Sequence, residues 1–284
     1  MSLPPDFQFS QSNLQDFVDC RRRFQLRYLL KIAWPALETE PVQESERWMQ
    51  QGARFHRMLQ QAFTGIPLER IAAQEMDADL STWWANFQSR TPELLGFDLN
   101  QLPQPQLMPE ITLTAPIGDY RLIGKFDLVL NRLPEKITIV DWKTSRRAPR
   151  REIQAARMQT LLYPYLMIQC SPRWNGGQPV QPEQVEMLYW YANDADKVQR
   201  FAYDARQYDR DHARLLSLVK EIADLPEEDF SLTSHVEACK YCVYRSLCDR
   251  GIDAGLLDAF DDELGDIDGG DYKLDFDQIA EVEF

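Results

Sequence analysis

The chain has 284 residues and a mass of 33.2 kDa, with 44% hydrophobic and 11% aromatic residues, enough to bury a large core and to exclude wholesale disorder. No stretch approaches the roughly 18–20 apolar residues that cross a bilayer, and Met1-Ser2-Leu3-Pro4-Pro5-Asp6 has neither the basic start nor the apolar run of a secretory signal, so a soluble, cytoplasmic protein is expected. The formal charge of −14 would argue against a nucleic-acid partner, but residues 253–284 hold twelve acids and one base, about −11, which leaves about −3 for the rest.

In chain order, residues 11–31 have helical spacing (Leu14, Phe17, Val18, Phe24, Tyr28, Leu29), with Ser12 or Asn13 as a cap. A second helix is expected over 43–63, with Trp48, Gly52, Phe55, Leu59 and Phe63 on one side, and a third over 80–89. Pro92 to Pro109 carries four prolines and is expected to be irregular. Strand alternation begins at Glu110–Ala115, turns at Gly118-Asp119, resumes over Tyr120–Leu130, turns at Leu133-Pro134-Glu135 and resumes over Lys136–Asp141. Arg151–Gln169 returns to helical period; Val185–Tyr191 and Val198–Tyr203 form a strand pair after the Gly176-Gly177 loop, and Tyr208–Ala223 is helical. The pattern predicts an α/β fold, a central mixed sheet flanked by helices. Residues 1–250 form one domain; 251–284 form an acidic tail, either a solubilising segment or one that mimics DNA and folds back on a basic groove or docks on a partner.

Three stretches carry chemistry: Gly124-Lys125-Phe126-Asp127, Ile139-Val140-Asp141-Trp142-Lys143, and Gln159 with Tyr163. Asp141 and Lys143 end a β-branched run two residues apart, so on an extended chain both leave the same face. Asp127 comes from the preceding strand, and two carboxylates aimed at one point repel by roughly 4 kcal/mol at 4 Å with an effective dielectric near 20. A hard cation removes that repulsion, and Mg²⁺ or Mn²⁺ also bridges to phosphate. Lys143 would position water or neutralise charge building on the phosphate. A lone Asp-x-Lys is more often an exposed pair at a strand end. Gln159 and Tyr163 share a helix face at i, i+4, however, and His56 on an earlier helix is available as a further ligand. Bases cluster at Arg21–Arg23, Arg27 and Lys31, and again at Lys143, Arg146, Arg147, Arg150 and Arg151; either run is a solvated face or a phosphate-binding one, and the second adjoins the Asp-x-Lys element.

The ordered set Gly52…His56, Glu110, Gly124-x-x-Asp127, Asp141-x-Lys143 and Gln159-x-x-x-Tyr163 resembles the PD-(D/E)XK nuclease superfamily, most of all its RecB-type branch, shared by helicase–nuclease subunits and CRISPR-associated nucleases. The resemblance spans about residues 14–248 and implies a restriction-endonuclease-like core. It further implies metal binding by His56, Asp127, Asp141 and the Trp142 carbonyl, assistance of the hydrolytic water by Lys143, and contact of Gln159 and Tyr163 with DNA near the scissile phosphate; Glu110 is a weaker correspondence. Pro164 directly follows Tyr163, which implies a kink in that helix. The expected function is Mg²⁺- or Mn²⁺-dependent DNA hydrolysis, exonucleolytic on single strands or ends, in repair, recombination or mobile-element defence. The alternative is a non-catalytic DNA-binding or complex-assembly module. There is no G-x-x-x-x-G-K-[ST] loop, so unwinding would fall to a partner such as a helicase.

Cys239-x-x-Cys242 and Cys248 form a tight group, Cys20 lies far upstream and Cys170 stands apart. Without a secretion signal, metal ligation is favoured over a disulfide framework. Zinc normally shows two paired knuckles, and only one is present. One remote cysteine plus a C-terminal trio resembles the iron–sulfur staple of a subset of these nucleases, AddB-type and CRISPR-associated members among them. This implies a structural 4Fe-4S cluster on Cys20, Cys239, Cys242 and Cys248, with zinc or reduced thiols as alternatives.

Overall fold

The computed structural model describes residues 3–33 and 40–251. In chain order the elements are β1 (Gln8–Phe9), α1 (Gln11–Asp19), α2 (Arg21–Phe24) running into a π turn at Gln25–Leu29, α3 (Glu40–Phe63), α4 (Leu68–Ala72), α5 (Ala78–Leu95), β2 (Leu107–Ile117), β3 (Tyr120–Arg132), β4 (Lys136–Lys143), α6 (Arg151–Ala156), α7 (Met158–Cys170), β5 (Val185–Tyr191), β6 (Val198–Ala202) and α8 (Ala205–Asp224). The acidic tail lies outside the described residues, and no described helix is long and apolar enough to cross a membrane.

The predicted α/β architecture is the one observed. A mixed sheet runs β1-β3-β4-β5-β6, with β2 along the other edge of β3. The antiparallel pairs are β2–β3, β3–β4 and β5–β6; β4 and β5 run parallel, joined by the α6–α7 crossover that a parallel pair requires. Two buried clusters cover the two faces. One packs Ile137, Ile139, Met187 and Tyr189 against α1, α7 and α8; the other packs Val140, Trp142, Leu188 and Trp190 against α3 and α5. Alternation along β4 and β5 supplies both faces, and each large apolar side chain removed from water contributes roughly 1.5–3 kcal/mol.

Several boundaries differ from expectation, each for a local reason. The first helix breaks at Cys20, which is extended (φ −161°, ψ 108°) between α1 and α2. Ser10, not Ser12 or Asn13, caps α1: its hydroxyl accepts the Asn13 N–H while the Asn13 side chain accepts the Ser10 N–H, a reciprocal capping box. The helix expected over 151–169 is two helices, because Arg157 is extended (ψ 144°). Pro164 sits inside α7, and Pro92 inside α5, which continues to Leu95 before Gly96 ends it in the left-handed region (φ 70°). The two-residue β1 and the short α4 carry too little periodicity to be legible in sequence.

One irregularity makes room for the site. β2 occupies one edge of β3 throughout, so β4 and β1 must share the other. β4 pairs with Leu128–Arg132 and β1 only with Arg121 and Leu122. Residues 123–127 therefore face a notch with no strand across it. Beside the notch the apolar alternation of β3 slips phase, with Phe126 packing against the α7 side and Leu128 and Leu130 against the α3 side.

Candidate metal and hydrolytic site

Elements from both faces converge on this notch. From α3, His56 Nδ1 lies 3.3 Å from Asp127 Oδ1. Glu110 on β2 stands opposite Asp127 in the β2–β3 register, and ligand atoms of His56, Glu110 and Asp127 all lie within 4.8 Å of one another. Glu110 has φ +54°, a conformation that a non-glycine residue in a strand rarely adopts, and its carboxylate also pairs with Lys125. Strain of this kind, of order 1–3 kcal/mol, persists where surrounding structure imposes it and gathers at functional sites.

Asp127 Oδ2 accepts the Trp142 backbone N–H at 3.0 Å, which joins the β3 carboxylate to β4 between Asp141 and Lys143. Burial pushes the Asp127 carboxyl up, but His56, the Trp142 N–H and Lys143 outweigh it and hold the group below the usual carboxylate range. Asp141 and Lys143 do share a face, as the two-residue spacing predicts. Lys143 Nζ lies 2.9 Å from Asp141 Oδ1, with both side chains about 5% exposed, and 5.6 Å from the centre of the Tyr189 ring. From α7, Gln159 Nε2 donates to Asp141 Oδ2 at 2.5 Å.

Tyr163, one turn beyond Gln159, is buried, and its hydroxyl donates to the Lys125 carbonyl at 2.6 Å. That carbonyl belongs to the stretch of β3 that neither β1 nor β4 pairs. Gly124 makes the approach possible: a Cβ there would lie 3.3 Å from Tyr163 Cε1 and 3.0 Å from Leu166 Cδ2. On the other face, a Cβ at Gly52 would come within 2.7 Å of Thr144 Oγ1, so this glycine lets α3 sit against the end of β4 and carries His56 to Asp127.

His56, Asp127, Asp141, Lys143 and Gln159 are thus brought into one chain of contacts, joined by Glu110. The residues around Thr144 that hold the loop after Lys143, Trp48 and Asn193 above all, escaped the sequence; Trp48 showed only as part of a helix face, and nothing in the spacing singled out Asn193.

The four cysteines also approach one another. Cys20 bears electrostatically on Cys239, Cys242 and Cys248, and Cys248 bears on both Cys239 and Cys242. Burial pushes the Cys242 thiol up to about 11, with Arg23 opposing. Cys170 is elsewhere, its Sγ 3.5 Å from the Thr114 carbonyl. The neighbouring arginine run is drawn into internal pairs: Arg21 with Glu221, Arg22 with Gln25, and Arg23 with Asp16 at 2.7 Å and Asp19 at 2.8 Å. Of the second run, Arg146 lies 4.8 Å over the Trp48 ring and Arg151 4.2 Å over Phe201, while Arg147 and Arg150 are exposed.

The fold and this site define a class: an α/β protein whose split sheet gathers an imidazole and carboxylates beside an amine. A family model described as the PD-(D/E)XK nuclease superfamily matches residues 8–249, and the chain belongs to that superfamily. Among solved structures, the protein SSO0001 is similar at 12% identity and a TM-score of 0.41, covering 87% of each chain. A proposed exonuclease from Eubacterium rectale is similar at 9% identity and a TM-score of 0.47, covering 76% of this chain and 79% of that one. In the comparison with curated proteins, none matches.

Proposed function

We propose that this protein is a divalent-metal-dependent deoxyribonuclease of the RecB-type branch that hydrolyses phosphodiester bonds at single strands or ends. The observation that carries this reading is the convergence of His56, Glu110 and Asp127 within 4.8 Å, tied through the Trp142 N–H to the Asp141–Lys143–Gln159 chain. One imidazole and hard carboxylate oxygens suit Mg²⁺ or Mn²⁺. His56, Asp127 and Asp141 would hold the ion, with Glu110 in reach of the same position. Such an ion supplies Lewis-acid polarisation of the phosphoryl group and a more acidic bound water.

The chain's own groups do the rest. Lys143, held by Asp141 in a nearly water-free setting, presents an ammonium where negative charge develops on the phosphate. Gln159 fixes the Asp141 carboxylate from the opposite side. Arg147 and Arg150 follow on the loop after β4 and give the sugar–phosphate strand a basic approach. A [4Fe–4S] cluster on Cys20, Cys239, Cys242 and Cys248 is the structural companion, supported by four thiols near enough to bear electrostatically on one another. Unwinding is left to a partner of the helicase class.

The test is cleavage of end-labelled single- and double-stranded DNA with Mn²⁺ by wild type, Asp141→Ala and Lys143→Ala. Wild type is expected to cleave and both variants to lose at least about 100-fold in rate, the loss typical of one electrostatic contributor, while retaining wild-type circular dichroism. Equal cleavage by all three would overturn the assignment.

A further inference from the structure

The loop that leaves β4 after Lys143 is held by four acceptor carbonyls. Lys143 O accepts the Ala192 N–H at 2.7 Å, and Pro149 O accepts from Gln199 Nε2 at 2.8 Å. Between them, Asn193 Nδ2 donates to both Thr144 O at 2.9 Å and Ser145 O at 2.8 Å, and Trp48 Nε1 donates to Thr144 O at 2.9 Å. The amide of Asn193 is satisfied at its other end, where Oδ1 accepts the Trp83 Nε1–H at 2.8 Å. Only one orientation of this amide works, since an indole N–H can only donate and a carbonyl can only accept. The turn carrying Asn193 is itself anchored to α5, with Asn86 Nδ2 donating to Ala192 O at 2.8 Å.

The geometry points to Asn193 as a positioning residue for the nuclease site: from outside the metal cluster, it holds the Thr144–Arg147 arm so that Arg146 and Arg147 flank the phosphate path beside Lys143. This rests on the nuclease reading and deepens it. Two observations single out the arm. Thr144 is approached by three residues from two elements, since Gly52 of α3, one turn from Trp48, also closes on its hydroxyl. Directly after the two clamped carbonyls comes Arg146, lying 4.8 Å over the Trp48 ring, so the ring that supports the arginine belongs to the residue that bonds the arm. A bidentate clamp on successive peptide carbonyls fixes both direction and twist of the backbone, and misplacement of about 1 Å can cost about 100-fold in such sites.

Asparagine is required by chemistry, not by size. The isosteric Asn193→Asp sets a carboxylate oxygen against two carbonyls and removes both donors, so the arm is released with the residue's volume unchanged. With labelled single-stranded DNA and Mn²⁺, Asn193→Asp is expected to raise KM about tenfold and leave kcat within about threefold. The slope of log affinity against log salt, measured by binding in EDTA, should fall by about 0.7–1.4, the loss of one or two phosphate contacts on a single strand. Trp48→Phe, which keeps the ring but deletes one donor, moves the same readouts less far. Arg146→Ala/Arg147→Ala reproduces the Asn193→Asp phenotype, and adding Asn193→Asp to that pair changes nothing further.

A fall in kcat with unmoved KM, or penalties that multiply in the triple variant, would overturn the inference. So would an Asn193→Asp protein indistinguishable from wild type. If Asn193→Asp loses its near-ultraviolet circular dichroism or its Mn²⁺ affinity, Trp48→Phe decides by the same readouts, and an unchanged KM and salt slope there refute the clamp. Failure of wild type itself to bind and cleave DNA would instead refute the nuclease reading.

Discussion

Gly124 and Glu110 show opposite uses of backbone freedom beside one carboxylate. At Gly124 the absent side chain matters. A methyl group would press on Leu166, Phe126 and Tyr163 at 3.0, 3.2 and 3.3 Å. Alanine would gain a few tenths of a kcal/mol by restricting the unfolded chain, but overpacking costs about 1–3 kcal/mol, so Gly124→Ala is expected to lower the thermal midpoint. An unchanged midpoint in a calorimetric scan would show that α7 yields. Tyr163→Phe leaves the ring in place and the Lys125 carbonyl of the notch without its donor, a loss of about 1–2 kcal/mol in denaturant unfolding. At Glu110 the residue occupies a conformation glycine would hold without strain. Glu110→Gly should therefore stabilise the metal-free protein by roughly 1 kcal/mol while weakening Mn²⁺ binding in titration calorimetry. Weaker folding and unchanged Mn²⁺ affinity would remove Glu110 from the ligand set.

Single elements matter here mainly through where they stop. α1 ends at Cys20, and that break sets a thiol toward the segment that holds Cys239, Cys242 and Cys248. Hydrogen bonds also tie this end of the chain to the N-terminal segment: the Tyr244 hydroxyl donates to the Ile32 carbonyl at 2.9 Å, and the Arg22 N–H donates to Ser231 O at 3.1 Å. A bound cluster would close a loop from residue 20 to residue 239. By analogy with a cross-link over a loop of about 100 residues or more, that closure is worth about 5 kcal/mol in the chain-entropy account. Anaerobically purified protein is expected to show visible absorbance, and stripping the cluster with an oxidant and a chelator should bleach it and lower the thermal midpoint by several degrees. Colourless protein containing stoichiometric zinc would replace the cluster with the single ion.

Over the whole molecule, the two buried clusters cover opposite faces of the sheet, and a titrating group between α7 and α8 reports on the first of them. Tyr165 is buried there, stacked on Tyr208, with its hydroxyl 2.9 Å from His212 Nδ1. Burial, with Tyr208 adding, pushes its phenol up to about 12. A raised folded-state pKa means that the unfolded chain loses its proton first. The stabilising contribution is complete below pH 10 and declines as pH climbs from 10 toward 12, by about 3 kcal/mol in total. Tyr165→Phe should flatten that alkaline decline in stability measured by urea unfolding at successive pH values; an equally steep decline would place its origin in other groups.

Periodicity alone was enough for the order of the longer strands and helices, since alternation along β4 and 3.6-residue spacing along α3 and α8 are local properties. The pairing of Asp141 with Lys143 was equally legible, because residues two apart on an extended chain must share a face. Spacing could not reveal that β4 leaves β3 after Leu128, for strand pairing is decided between segments distant in sequence. The meeting of His56 with Glu110 and Asp127, the burial of Tyr163 against a notch carbonyl, the engagement of Arg21 and Arg23 in ion pairs and the clamp at Asn193 all follow from that packing. Each depends on which surfaces two elements bury against each other, a choice made by the tertiary structure as a whole.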